Sequence, residues 1–111
     1  MPVTRTPKKL AQTALSTTVT ARYTAPAATV TQITEIWLAN TNTTTARTVA
    51  LYAHGTAANN TLIQAIKIPA NGTKGIDGSK IVLAAGEVLA GKQDAGTDVI
   101  LTAYGIEEVT S

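Results

Sequence analysis

The residues able to do chemistry are few in this sequence. It holds one histidine, His54, and no cysteine. That excludes a thiolate nucleophile, a disulfide framework, a Cys-based zinc site and any constellation needing two imidazoles. No Ser stands in a recognisable nucleophile pattern with His54, as a catalytic pair would require. His54 follows an alternating run on the side opposite Val49 and Leu51, so it reads as an exposed strand-end histidine. Gly86-Glu87-Val88-Leu89-Ala90-Gly91-Lys92-Gln93 nearly spells a phosphate-binding loop. However, Gln93 stands where Ser or Thr must hold magnesium, and Val88-Leu89-Ala90 reads as a strand rather than a phosphate wrap. Asp94 and Asp98, with Asp77 elsewhere, lack the dense carboxylate spacing of a calcium loop. Glu107-Glu108 reads as a solvated tail. The Asn-x-Thr triplets at Asn42, Asn59 and Asn71 read as chance in a chain that is roughly one-fifth Thr. Nothing here names a reaction, a cofactor or a metal, so the expected class is a non-enzymatic structural or binding module.

Two aromatic residues and one charge cluster remain as candidates for binding. Trp37, the only tryptophan, is flanked by Ile36 and Leu38. It fits either a core position between sheets or an interface anchor, where Trp is frequent. Tyr52 falls opposite the Val49/Leu51 stripe and is expected to be the exposed aromatic, available for a protein contact. Arg5, Lys8 and Lys9 lie in the first fifteen residues with no acid among them. From residue 16 onward six basic and seven acidic side chains leave about −1. Residues 1–15 therefore read as an extended basic arm, kept open by Pro2 and Pro7. Such an arm either frays or orders on a neighbouring subunit. The net charge of +2 is too mild for a nucleic-acid partner. No apolar run is long enough for a signal peptide or a membrane span, so the protein is expected to be soluble where it is made.

The elements that must carry these residues are strands. The 111-residue chain is 44% hydrophobic with no Phe, which allows one domain with an aliphatic core. Val19, Ala21 and Tyr23 alternate with polar neighbours, and a second strand covers residues 30–38. Further strands are predicted at 48–54, 62–68, 81–83, 88–90 and 99–106. Polar loops are expected at 40–46 and 55–60, and turns at Asn71-Gly72, Asp77-Gly78 and Ala85-Gly86. Only residues 10–15 offer a helical alternative, and they are too few to stand alone. About eight short strands in so short a chain require two packed sheets. The expectation is an all-β, jelly-roll-like two-sheet sandwich over residues 16–111, preceded by the arm.

Several segments resemble the small β-sandwich decoration or cement proteins encoded among the head genes of tailed bacteriophages. They are Arg22-Tyr23-Thr24-Ala25-Pro26-Ala27, Glu35-Ile36-Trp37-Leu38-Ala39-Asn40-Thr41, Thr48-Val49-Ala50-Leu51-Tyr52, Leu83-Ala84-Ala85-Gly86-Glu87-Val88-Leu89 and Tyr104-Gly105-Ile106-Glu107. Length, basic arm and fold are most similar to the capsid-stapling proteins of epsilon15-like short-tailed phages. The resemblance implies a virion component, made in the host cytoplasm, that sits on the capsid outer surface and reinforces a shell of HK97-type major capsid protein. It also implies a homodimer or other homo-oligomer, and no nucleic acid, membrane, cofactor or small-molecule substrate. The family has no catalytic residues to transfer. The expected partner-binding residues, chosen from exposure and charge, are Arg5, Lys8, Lys9, Tyr52 and Trp37. The alternative is a tail- or fibre-associated module, with carbohydrate as a ligand class and the 40–46 loop as its motive.

Overall fold

A computed structural model describes residues 3–110, with the side chains of residues 78–80 outside the description. Pro2 lies outside the described residues. Eight strands form in chain order: β1 Val3–Ala14, β2 Thr20–Thr24, β3 Thr29–Asn40, β4 Arg47–Ala53, β5 Thr61–Ile68, β6 Thr73–Leu83, β7 Val88–Gln93 and β8 Val99–Thr110. They build two four-stranded antiparallel sheets ordered β1-β8-β3-β6 and β2-β7-β4-β5. Every connection except the β4–β5 hairpin crosses from one sheet to the other. That order is the double Greek key of a jelly roll, the fold class expected from the strand count. The three 12-residue strands all lie in the first sheet, which makes the molecule elongated, 52 × 25 × 19 Å.

The core is aliphatic, because the sequence supplies no Phe and the alternation directs Leu, Ile and Val inward. Ile33, Ile36, Leu38 and Leu101 from the first sheet face Val49, Leu51, Ile68 and Leu89 from the second, all fully buried. Each such side chain contributes about 1.5–3 kcal/mol by leaving water. Two buried amides close the edges of this core. Gln93 Nε2 donates to the Leu15 carbonyl (2.5 Å) and its Oε1 accepts the Val99 N–H (3.3 Å). Asn40 Nδ2 donates to the Thr45 and Ile68 carbonyls (3.0 and 3.2 Å), pinning the 41–46 loop to the end of β5. Buried amides stay only where both ends find partners.

Three local expectations are corrected. Residues 3–14 are no arm apart from the sandwich but the edge strand β1, paired from Val3↔Thr110 to Ala14↔Ile100. Leu15, placed within that arm, is fully buried in the core. Residues 10–14 are accordingly strand, with a register shift between Lys9 and Ala11. Asp77-Gly78 does not turn the chain, since β6 runs straight through it. The register instead slips there, with Asp77 opposite Glu35 and Ile81 opposite Ile33. A glycine in a strand pattern marks a bulge as readily as a turn. The Asn71-Gly72 turn forms as expected, with Asn71 at φ 59° and the Gly72 N–H donating to the Pro69 carbonyl.

Candidate protein-contact surface

The outer face of the first sheet is the place where exposed apolar side chains gather. Five of the six large hydrophobic residues left exposed among those described lie on it: Val3, Val30, Trp37, Val82 and Tyr104. The strand registers arrange this face in rows. Arg5, Glu108 and Val30 form one row, followed by Pro7, Ile106, Gln32 and Val82. Lys9, Tyr104, Glu35 and Asp77 form the central row, and Thr102, Trp37 and Gly75 the next. The alternation that buries Ile33, Ile36 and Leu38 necessarily turns Gln32, Glu35 and Trp37 outward.

Trp37 is 41% exposed, so it is not the core residue between sheets that one of its two readings expected. Its ring lies over Gly75, where an added Cβ would stand 2.8 Å from Cζ3. Glycine on the neighbouring strand is thus what lets the indole lie flat. The indole N–H donates to Glu35 Oε1. Together with Thr34, Ile76 and Asp77 these residues line an open hollow of about 280 Å³.

Tyr52 overturns its expectation, being only 8% exposed. It stands on the outer face of the second sheet, where it packs with Ala50 and Ala90 and is covered by Val19 and Val88. Small alanines on β4 and β7 leave room for the ring. Alternation identified the two sides of β4 correctly but could not reveal that both are covered.

Two of the three basic residues expected in the arm are neutralised. Arg5 Nε lies 3.2 Å from Glu108 Oε2, and Lys8 Nζ lies 3.2 Å from Glu107 Oε1. Glu107-Glu108, expected as a solvated tail, is therefore the counter-charge to the expected arm, brought alongside it by the β1–β8 ladder. Among the described residues Lys9 forms no ion pair, and its Nζ donates to Gln12 Oε1 at 3.0 Å. Exposed pairs of this kind contribute about 0–1 kcal/mol.

Glu107 is the exception because it is nearly buried. The Tyr23 hydroxyl donates to its Oε2 at 2.5 Å, and Thr31 Oγ1 lies 2.6 Å from the same phenol oxygen. The phenol hydrogen bond, with help from Lys8 and against the cost of burial, holds the Glu107 carboxyl below its usual range. Burial first, and Glu107 second, push the Tyr23 phenol up from 10.0 to about 12. Folded Tyr23 thus holds its proton more tightly than unfolded Tyr23. Its stabilisation is complete below pH 10 and is lost as pH rises toward 12. A thermal midpoint measured against pH is expected to fall over that window, and to fall less steeply in Tyr23→Phe. At the acid end Glu107 works in the opposite sense, its contribution vanishing as pH drops through its lowered value.

The other chemically suggestive residues are engaged locally. His54, exposed and at φ 76°, follows β4, and its Nδ1 lies 3.0 Å from Glu87 Oε1. The Glu87 carboxyl is held low by the Ala84 N–H and then by His54. Asp98 Oδ2 accepts from Arg47 Nε (2.8 Å) and from Asn42 Nδ2 (3.2 Å), which lowers its carboxyl too. Asn42 Oδ1 accepts the Thr44 and Thr45 N–H groups, so the 41–46 loop closes on itself. Val88–Gln93 is the strand β7, with Lys92 on it. Among the described residues no three His, Cys, Asp or Glu side chains group to hold a metal, and no helix is long and apolar enough to cross a membrane.

The fold is thus an all-β jelly roll and its most distinctive surface a sheet face. No family model matches this chain, and no curated protein matches it. Among solved structures it is similar to a chain described under "Bacillus endospore appendages form a novel family of disulfide-linked pili". That likeness has a TM-score of 0.48 and 9% identity, over 98% of this chain and 89% of that one. A likeness at this level adds nothing to the fold described above and says nothing of function.

Proposed function

We propose that this chain is a structural virion protein that attaches to the outside of an icosahedral phage capsid and reinforces its shell of major capsid protein. The observation that carries the reading is the outer face of the first sheet, a four-stranded surface on which exposed apolar and aromatic side chains gather. Such an array suits contact with another protein. The resemblance of the strand and turn segments to phage head decoration proteins supplies the setting. A site repeated many times over a shell needs little affinity per contact, because linked contacts act at high effective concentration.

The test is direct. Purified protein mixed with heads that lack it is expected to co-sediment with them and to raise the temperature at which they release their contents. Heads that take up none, in a particle whose tails carry it, would overturn the reading.

A further inference from the structure

We infer that the hollow beside Trp37 receives an arginine side chain of the shell protein, its guanidinium stacked on the open indole face and paired with Glu35. The inference rests on reading this sheet face as the shell contact, and it names the chemistry of the group that enters it.

The argument begins with how the indole lies. A Cβ built on Gly75 would stand 2.8 Å from Cζ3 of Trp37, 3.1 Å from Cη2 and 3.2 Å from Cε3. Distances so nearly equal belong to a point above the ring plane, not one beyond its edge. One face of the indole therefore covers the backbone of β6. With the side chain 41% exposed, the opposite face is left open as a flat π surface.

The surroundings of that surface are acidic. Thr34, Glu35, Trp37, Gly75, Ile76 and Asp77 line the hollow, two carboxylates with no cation among them. Asp77 is already engaged within the protein, so the pairing is assigned to Glu35. Its Oε1 accepts the indole N–H, which holds the carboxylate at the border of the ring. Among the described residues Glu35 forms no ion pair, and Oε2 remains for a further donor. Cations elsewhere on this face do not supply one. Arg5 is paired with Glu108, and Lys9 stands two strands away, beyond Tyr104, with its Nζ on Gln12.

An open indole face beside an uncompensated carboxylate is complementary to a cation, and Trp is the strongest of the aromatic partners. Arginine meets both features at once. Its planar guanidinium stacks on the ring while its N–H groups reach sideways to the carboxylate in a charge-assisted hydrogen bond. A lysine ammonium is a compact, strongly hydrated point charge that cannot stack in this way. The volume of about 280 Å³ suits one long side chain. Trp and Arg are also the residues most enriched where protein contacts concentrate their energy.

The competing account is that Trp37 only shields the glycine beneath it, as aromatic residues do in sheets. That account makes stability depend on Trp37 and gives Glu35 no part in binding.

The test exploits the fact that Trp37 is the only tryptophan, so its fluorescence reports this site alone. N-acetyl-arginine amide, titrated into the full chain at constant ionic strength, is expected to change that fluorescence saturably. The lysine derivative is expected to bind at least about threefold more weakly, and the glycine derivative to give no change. Glu35→Gln is expected to weaken the arginine probe at least about fivefold with the thermal midpoint unchanged. On heads that lack the protein, Glu35→Lys sets a like charge against the incoming guanidinium. Its uptake is expected to fall at least about tenfold below native.

An arginine probe that never saturates, or that the Glu35→Gln protein holds equally well, would overturn the inference. Native-level uptake of Glu35→Lys by heads would overturn it too, while leaving the shell reading intact. The shell reading fails separately, if heads take up no native protein although the chain holds the arginine probe through Glu35.

Discussion

Deleting residues 1–14 is expected to abolish the folded state. β1 pairs with β8 along its length, so the deletion strips β8 of one of its two ladders. The hydrogen bonds lost contribute about 1 kcal/mol each on average. Leu10 and Ala11, which pack against the main core, go with them. The sum rivals the ~5–15 kcal/mol that holds a domain of this size together. The exposed β8 would also present an unpaired edge to other chains. The expected result is loss of the cooperative thermal transition, with aggregation. A truncated protein that melts like the full chain would show that β1 contributes nothing, as a detachable arm would. The charges on β1 matter far less than its backbone. Arg5→Ser, at an exposed pair, is expected to shift stability by no more than about 1 kcal/mol.

Gly105→Val is the point substitution with the largest expected effect. Gly105 is buried in β8, between Lys8 of β1 and Ile33 of β3. A Cβ there would collide with the Gln32 carbonyl oxygen and stand 2.8 Å from Leu10 Cδ1. The register of β3 slips between Ile33 and Glu35, beside this point, and the backbone of β3 comes close because glycine allows it. Backbone cannot give way as a side chain can, so Val at this site should cost on the order of 4–5 kcal/mol, at the extreme of single-residue effects. Urea titration should show either a midpoint displaced by more than half or no folded baseline. Gly86→Ala is the contrast. Space around Gly86 is open, but its φ of 85° leaves only backbone strain, about 1 kcal/mol. Equal losses at the two glycines would mean that close approach of β3 is not what Gly105 serves.

Much of the frame is legible in the letters because β-structure has a period of two. Residues 48–53 and 99–105 alternate, and both runs become strands with Val49, Leu51, Val99 and Leu101 inward. Asn71 announces a turn because it tolerates a positive φ, and the strand count alone demands two sheets. β1 escapes that reading. Its residues Arg5, Pro7 and Lys9 alternate with Thr4, Thr6 and Lys8, so neither face is apolar. Its place is set by β8, nearly a hundred residues further on, whose open edge it completes.

The binding candidates divide along the same line. Local alternation puts Tyr52 on the correct side of β4, whereas for Trp37, between Ile36 and Leu38, it leaves core and surface both open. Which side is wet depends on what lies across it. Val19 and Val88 roof Tyr52, whereas Gly75 lets Trp37 lie open on its sheet. The pairing of Arg5 and Lys8 with Glu108 and Glu107 is equally a product of the β1–β8 register. Side-chain periodicity is a property of neighbours along the chain, readable one strand at a time. Exposure and charge balance arise between segments far apart in the chain, and these only the assembled sandwich decides.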